Sequence, residues 1–204
     1  RSPISPEAAL LLIQPIVGAA AALHDRGYVH RDLKPENAIA NPDGAILVID
    51  LGLAWADSMT RHTESGAAVG SIGYMAPEQL EGRAVDARAD VWAIGVMIYE
   101  WITGKRPFAR SRAAEEAAAA LLGSFSRLTA ADRRAGDDLA ELVASCLALD
   151  ATRRPSTAEL ARAIADMIDW APADQLAVER AAVVADPAGY QARVAPFRIR
   201  RLER

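Results

Sequence analysis

The sequence predicts a mainly α-helical domain that carries one small β-hairpin. Three observations support this prediction: a long apolar stretch from Ala8 to Leu23, two short apolar runs around Asn41-Pro42-Asp43-Gly44, and amphipathic or apolar stretches that recur from residue 88 onward. With 204 residues, of which 51% are apolar, the chain is long enough to bury a core.

The first helix is predicted to begin at Ser5-Pro6-Glu7. Serine can cap free amides, proline suits a first turn, and glutamate is stabilised at the positive end of the helix dipole. We expect the helix to run to about Arg26 and to kink at Pro15, because proline removes one internal hydrogen bond. Its apolar run is interrupted by Gln14 and Pro15 and is too short to span a bilayer comfortably, which indicates a buried helix.

The hairpin follows this helix. Strands are predicted near Ala38 to Ala40 and Ile46 to Ile49, so that Asn37 and Asp50 lie at the two ends of the hairpin. Residues 53 to 69 show no sustained period and indicate a loop. Further helices are predicted over Arg88 to Thr103, Ala113 to Leu122, Asp137 to Leu149, Ser156 to Trp170 and Asp174 to Val184.

Charge and cysteine content narrow the classes of function. The formal net charge of −4 argues against a nucleic-acid-binding surface, which normally needs a basic excess. Five arginines between Arg193 and Arg204 are a local exception, and indicate a solvated tail or, alternatively, a basic segment beside a membrane anchor outside the sequence. The single cysteine, Cys146, lies on an apolar helical face and is expected in the core. No signal peptide is visible, and we expect a cytoplasmic location.

Three motifs contain the residues that phosphoryl transfer requires. They are His30-Arg31-Asp32-Leu33-Lys34-Pro35-Glu36-Asn37, then Asp50-Leu51-Gly52, then Met75-Ala76-Pro77-Glu78. In these motifs the chain resembles the eukaryotic-like (Hanks-type) serine/threonine protein kinases, bacterial type. The resemblance implies the helical C-terminal lobe of a kinase over residues 1–170, with a catalytic loop at 30–37 and an activation segment at 50–78. Residues 171–204 are expected to be a tail or linker.

The resemblance also implies a role for each residue of the site. Asp32 would be the catalytic base and Lys34 would place an ammonium group near the migrating phosphate. Asn37 and Asp50 would bind Mg²⁺ through oxygen atoms. Lys34, Glu36, Asn37, Ile39 and Asp50 would line the ATP site, with Ile39 beneath the adenine ring. Leu51 stands where the family most often has phenylalanine, which leaves Asp50 and Gly52 in place.

Four further residues are expected to act as scaffold. His30 and Asp90 would brace the catalytic loop through hydrogen bonds to the backbone, as in the family. Glu78 would form an ion pair with Arg154 of the Arg154-Pro155 element, which closes the activation segment.

Regulation by phosphorylation is also implied. Arg31 can pair with a phosphate on the activation segment through charge-assisted hydrogen bonds. Thr63 and Ser65 precede Ser71 by a spacing that resembles the phosphorylated pair of bacterial members. Hydroxyls that merely solvate the loop are the alternative. Ser71 stands where the family usually has threonine, whose hydroxyl bridges the catalytic lysine and aspartate.

Two features of the family are missing from the sequence. It contains no G-x-G-x-x-G lid, and neither of its two lysines, Lys34 and Lys105, is placed to hold the α and β phosphates. The first residue is Arg1. We therefore expect a truncated kinase without its N-terminal lobe, with an apolar upper face and little activity by itself.

The sequence thus predicts a kinase that transfers the ATP γ-phosphate to Ser/Thr hydroxyls of protein substrates in bacterial signalling. A pseudokinase or scaffold is the main alternative, and the intact set of Asp32, Lys34, Asn37 and Asp50 argues against it. A small-molecule phosphotransferase of related fold is the second alternative. The Ala-Pro-Glu element and the long activation segment argue against that class.

Overall fold

The computed structural model of the chain describes residues 3–51, 72–132, 135–168 and 173–187. These residues form helices α1 (Pro6–His24), α2 (Pro77–Leu80), α3 (Arg88–Thr103), α4 (Ala113–Leu121), α5 (Leu128–Ala131), α6 (Gly136–Cys146), α7 (Thr157–Met167) and α8 (Ala173–Ala185), and strands β1 (Ala38–Ala40) and β2 (Ile46–Val48). Short 3₁₀ turns lie at Pro35–Asn37, Ile72–Tyr74 and Ala151–Arg153. The predicted mainly α fold with a small hairpin is confirmed.

Helix α3 is the centre of the core. Nearly all of its residues are buried, including Trp92, Ile94, Met97 and Ile98. A helix that is apolar on every side must be surrounded by other elements, and α3 is packed against α1, α6 and α7. The helix covers the same residues as the sequence predicts.

Helix α1 forms one wall of this core. It packs against α3, α7, α8 and β2, and its N-terminus is capped by Ser5, whose Oγ accepts a hydrogen bond from the Ala8 amide at 3.2 Å. The helix ends at His24, and Pro15 lies within it. By length and composition α1 could cross a membrane, contrary to the expectation that it is too short. Half of that stretch is nevertheless buried against the rest of the protein, as in a core helix.

Strands β1 and β2 pair antiparallel, with Ala38 opposite Val48 and Ile39 opposite Leu47. This register brings the two chain ends of the hairpin to one place, because the Ile49 amide donates a hydrogen bond to the Asn37 carbonyl at 2.9 Å.

The later helices differ from the predictions mainly at their ends. Helix α6 ends at Cys146 instead of Leu149, since Leu147 already leaves helical geometry with φ −95° and ψ 23°. Helix α7 ends at Met167, and residues 169–172, where the predicted end falls, lie outside the described residues. The four-residue helices α2 and α5 were not predicted. The predicted loop over residues 53–69 also lies outside the described residues.

Candidate active site

The hairpin and the catalytic loop bring the predicted site residues to one edge of the helical body. Asn37 directly precedes β1, and Asp50 follows β2 by two residues. The bond from the Ile49 amide to the Asn37 carbonyl ties these two ends together. Asn37 is buried whereas Asp50 is exposed.

Asp90 holds the catalytic loop through its backbone. Its Oδ2 accepts a hydrogen bond from the His30 amide, and its Oδ1 accepts one from the Arg31 amide, both at 2.8 Å. The His30 ring then reaches the other side of the site, where Nε2 donates to the Ile49 carbonyl at 3.0 Å. Since Ile49 precedes Asp50, this chain of bonds joins the start of α3, the catalytic loop and the end of the hairpin.

A second histidine, which the sequence analysis missed, completes this arrangement. His24 in the last turn of α1 lies with Nε2 2.7 Å from Asp90 Oδ2, and with Nδ1 3.0 Å from Thr157 Oγ1. In the neutral imidazole, Nε2 donates to the carboxylate and Nδ1 accepts from the threonine hydroxyl. The only available signal was one imidazole at the end of an otherwise apolar helix.

Asp32 lies between a cation and an amide. Its Oδ2 accepts hydrogen bonds from Lys34 Nζ at 2.7 Å and from Asn37 Nδ2 at 3.1 Å. Asn37 Nδ2 also donates to the Asp32 carbonyl at 2.8 Å. The asparagine nitrogen is therefore committed to the loop, and the amide oxygen is the atom of this side chain that can bind a cation.

The donor set at this edge fits Mg²⁺. The carboxylate of Asp50 and the amide oxygen of Asn37 are hard oxygen ligands, and Mg²⁺ sites in nucleotide enzymes use few protein ligands together with phosphate oxygens and water. The described residues contain no cluster of three or more His, Cys, Asp or Glu side chains suited to a metal.

Three exposed aliphatic residues lie on the hairpin or directly after it. Ile39, Leu47 and Leu51 are 46%, 55% and 42% exposed, although each is a large aliphatic residue. Ile39 and Leu47 are directly opposite each other across the two strands. Glu36, also predicted to line the nucleotide site, lies exposed in the 3₁₀ turn Pro35–Asn37.

Arg31 is the described member of the predicted regulatory set. Its carbonyl accepts a hydrogen bond from Gln79 Nε2 at 2.8 Å, and its side-chain Nε is buried without a partner among the described residues. Gln79 was not predicted as part of the site. Thr63, Ser65 and Ser71 lie outside the described residues.

Glu78 and Arg154 form a buried bidentate ion pair. Arg154 Nη1 is 2.6 Å from Glu78 Oε1, and Nη2 is 2.9 Å from Oε2. The guanidinium also lies 5.0 Å from the centre of the Trp92 ring. This pair joins α2, which begins at the end of the predicted activation segment, to the turn before α7.

A further polar cluster lies on the 3₁₀ turn Ile72–Tyr74 and was also missed. The Tyr74 hydroxyl donates to Glu100 Oε2. Arg106 forms a bidentate pair with Glu116 at 2.7 and 2.9 Å, and its guanidinium lies 5.6 Å from the Tyr74 ring centre. The hydrogen bond to Glu116 raises the pKa of Arg106 above its ordinary value. The cluster fixes this turn against α3 and α4.

Comparison with known proteins identifies the family of the chain. The family model described as the protein kinase domain matches residues 1–164. Serine/threonine-protein kinase PknL of Mycobacterium tuberculosis is 40% identical over 108 residues, which cover 53% of this chain and 27% of PknL. Probable serine/threonine-protein kinase PknB of Corynebacterium glutamicum is 44% identical over 104 residues, or 50% of this chain and 16% of that protein.

A plant relative shows the same pattern. Serine/threonine-protein kinase AtPK1/AtPK6 of Arabidopsis thaliana is 43% identical over 97 residues, which cover 48% of this chain and 20% of that protein. In each of these three proteins, the aligned region is 27% of the full length or less. The family model matches well over half of the chain, and the chain therefore belongs to the protein kinase family.

Proposed function

We propose that this chain is the C-terminal lobe of a serine/threonine protein kinase, which transfers the γ-phosphate of ATP to Ser and Thr hydroxyls of proteins. The observation that carries the proposal is the setting of Asp32, whose carboxylate is 2.7 Å from the Lys34 ammonium and 3.1 Å from the Asn37 amide nitrogen. A packing role for Asp32 would need neither contact.

The hydrogen bonds of Asp32 support separate tasks for its two carboxylate oxygens. Within the described residues, both hydrogen bonds to its carboxylate end on Oδ2. The other oxygen, Oδ1, is therefore the atom that can orient the acceptor hydroxyl and take its proton. As the new oxygen–phosphorus bond forms, the bond between the γ-phosphorus and the bridging oxygen of ADP breaks, and ADP leaves.

Lys34 would stabilise the negative charge that develops on the phosphoryl group during transfer. Its ammonium group is 18% exposed at the side chain, so that water screens it only in part. A cation held in place beside the catalytic carboxylate stabilises negative charge on the migrating phosphoryl group without reorganisation. A lysine at this position also resembles the serine/threonine-specific members of the family more than the tyrosine-specific ones.

Asn37 and Asp50 would hold Mg²⁺ through their oxygen atoms. The ion, when bound, neutralises charge on the nucleotide phosphates. Ile39 and Leu51 offer apolar contact beside these groups, and Ile39 suits the adenine ring. A cytoplasmic location belongs to the same proposal, since the reaction consumes ATP.

Arg31 supports a proposal on regulation. Its buried Nε lacks a partner among the described residues, and a phosphate group would supply one. Phosphorylation of Thr63 and Ser65 is the modification proposed from the sequence. Replacing both with alanine in the native gene product should lower activity several-fold, and mass spectrometry should find phosphate on them before but not after substitution.

We further propose that the chain assayed alone has little activity. The sequence has no glycine-rich lid and no second suitably placed lysine to hold the phosphates on the side opposite Lys34. The exposure of the large aliphatic residues Ile39, Leu47 and Leu51 supports this proposal, because apolar side chains left in water are typical of a surface that another part of a protein covers.

The test is Mg²⁺-dependent transfer of labelled phosphate from ATP to a generic basic protein. The native gene product that contains this chain is compared with Asp32→Asn and with Asp166→Asn, an exposed aspartate on α7 that provides a matched loss of charge. We expect Asp32→Asn to lower the rate by about 100-fold or more, and Asp166→Asn to leave it unchanged. Equal labelling by the native protein and Asp32→Asn would refute the proposal and favour a scaffold. Turnover by residues 1–204 alone at the native rate would refute only the proposed inactivity.

A further inference from the structure

Helix α8 (Ala173–Ala185) lies beyond residues 1–164, which the family model matches, yet it packs against the body of the protein. It contacts α1, and its Val183 side chain is fully buried. Leu176 is partly buried against the same core. The helix is therefore attached to the lobe through apolar side chains, and Glu179 is buried there as well.

The same helix touches the turn of the hairpin. Arg180 Nε donates a hydrogen bond to the Gly44 carbonyl at 3.2 Å, and Arg180 Nη1 donates one to Gln14 Oε1 of α1 at 3.0 Å. The backbones are also close, since a Cβ at Gly44 would lie 2.5 Å from the Ala177 carbonyl oxygen and 2.7 Å from the Ala181 nitrogen. Gly44 has φ +83°, so this position suits glycine for two reasons.

The Arg180 guanidinium is held by neutral acceptors. Within the described residues, it donates hydrogen bonds to the Gly44 carbonyl and to the Gln14 side-chain amide, and no carboxylate pairs with it there. Burial accordingly lowers the pKa of Arg180. Desolvating a cation without a counter-ion costs free energy, and apolar contacts already attach α8 to α1. The arginine is therefore not needed simply to attach the helix.

The hairpin turn is mechanically joined to the candidate active site. Each strand has three residues, so the turn lies about 10 Å from the ends that carry Asn37 and Asp50. A paired two-stranded ribbon this short is marginal by itself and depends on what it packs against. Movement of the turn would consequently change how the two metal-ligand candidates face each other.

We propose that α8 holds the hairpin in its working position and that Arg180 is a positioning residue for Asn37 and Asp50. The assignment of Mg²⁺ and ATP as the ligands of Asn37 and Asp50 rests on the proposed function. The positioning itself concerns only this chain and can be measured without turnover.

The test uses ¹⁵N-labelled residues 1–204 and two readouts by nuclear magnetic resonance. The first is hydrogen exchange of the Ile49 amide, which bonds to the Asn37 carbonyl, with the Val96 amide in α3 as a reference for global opening. The second is paramagnetic broadening of the Asp50 amide signal by Mn²⁺ and ATP, which gives an apparent affinity. Arg180→Ala is compared with Arg180→Lys and with Arg162→Ala, which removes an exposed arginine bonded only within its own helix.

We expect Arg180→Ala to raise exchange at Ile49 at least fivefold, to leave Val96 unchanged and to weaken the apparent Mn²⁺–ATP affinity at least threefold. Arg162→Ala should match the unsubstituted chain. Lysine keeps the charge but cannot reach both acceptors with a planar fork, so Arg180→Lys should be intermediate and also covers the case in which the alanine variant does not fold.

Three results would overturn the inference. The first is an equal exchange rate at Ile49 in Arg180→Ala and Arg162→Ala. The second is an exchange rate that rises equally at Ile49 and Val96 in Arg180→Ala. The third is full recovery of both readouts in Arg180→Lys, which would assign the effect to charge alone. Faster exchange with unchanged affinity would likewise refute the link to the ligands. If the unsubstituted chain shows no Mn²⁺–ATP broadening that Asp50→Asn removes, the chain alone does not bind the nucleotide at Asp50, and exchange at Ile49 by itself decides whether Arg180 positions the hairpin. The proposed function is decided separately, by the Asp32→Asn comparison in the native gene product.

Discussion

Replacing Glu78 with glutamine should destabilise the protein more than any exposed charge change. The carboxylate is 5% exposed and its partner Arg154 is fully buried, so the variant leaves a guanidinium charge without its counter-ion. Arg154 uses its full set of N–H donors, two on Glu78 and three on the carbonyls of Arg88, Ala148 and Leu149. The cost of breaking a buried pair by removing one partner is about 3–5 kcal/mol.

A conservative change of the cation should also be costly. Arg154→Lys keeps the positive charge but has three donors in place of five, and its ammonium cannot form the bidentate pair with Glu78. Losing two or more hydrogen bonds in a buried site corresponds to about 3 kcal/mol. In the double variant Glu78→Gln/Arg154→Met no uncompensated charge remains. Its loss of unfolding free energy should therefore be smaller than the sum of the losses in Glu78→Gln and Arg154→Met.

Urea unfolding followed by tryptophan fluorescence and by circular dichroism measures these free energies. Glu141→Gln is the matched control, because Arg127 and Glu141 also lie 2.6 Å apart but are 58% and 76% exposed. That exposed pair should contribute less than about 1 kcal/mol. If Glu78→Gln costs no more than Glu141→Gln, the argument that burial makes the Glu78–Arg154 pair essential is wrong.

Three other predictions follow from the packing. Gly18→Ala in α1 should stabilise the protein by up to about 1 kcal/mol, because nothing lies within 4 Å of the new Cβ. Gly95→Ala in α3 should destabilise it by about 1–3 kcal/mol, because its Cβ would meet Cys146 Cβ at 2.7 Å. If urea unfolding shows changes in free energy of the same sign for both variants, the packing argument is wrong. Burial raises the pKa of the Cys146 thiol to about 12. At pH 8 the thiolate fraction is then on the order of 1,000-fold lower than for a thiol of ordinary pKa, so iodoacetamide should react more slowly with the folded than with the unfolded protein by a similar factor. Equal rates by mass spectrometry would contradict this. Asp90→Asn places an N–H donor where a carboxylate oxygen accepts a hydrogen bond from the His30 or Arg31 amide. The displaced loop 30–37 should lower the rate of phosphoryl transfer by the native gene product on the order of 100-fold. Activity near the native level would show that Asp90 does not hold this loop.

The fold was predictable because its strongest elements carry local signals. Helix α3 is predominantly apolar over Arg88–Thr103, and the hairpin has turn formers between two apolar runs. Helices α2 and α5 have four residues each, which is too short for a periodic pattern to show. The end of α6 was misjudged because Leu147 and Leu149 continue the apolar spacing after the backbone has left helical geometry.

The polar contacts of the site were predictable only where a motif names both partners. Glu78 and Arg154 belong to motifs of the family and were paired in advance. The contact between His24 and Asp90 joins residues 66 apart, and that between Arg180 and Gly44 joins residues 136 apart. No local pattern encodes such partners, because hydrophobic packing of whole helices brings them together.

Backbone strain at two neighbouring points connects these contacts to the chemistry. Arg31 and Asp50 have φ of 68° and 55°, values that cost a residue with a side chain about 1–3 kcal/mol each and persist only where the surroundings impose them. Asp90 accepts the Arg31 amide at 2.8 Å, and His30 binds the carbonyl of the residue before Asp50 at 3.0 Å. One buried carboxylate and one imidazole thus hold the backbone at both strained positions. Each position adjoins or carries a carboxylate proposed to act in transfer, so the free energy of these buried hydrogen bonds is used to aim Asp32 and Asp50 before any substrate arrives.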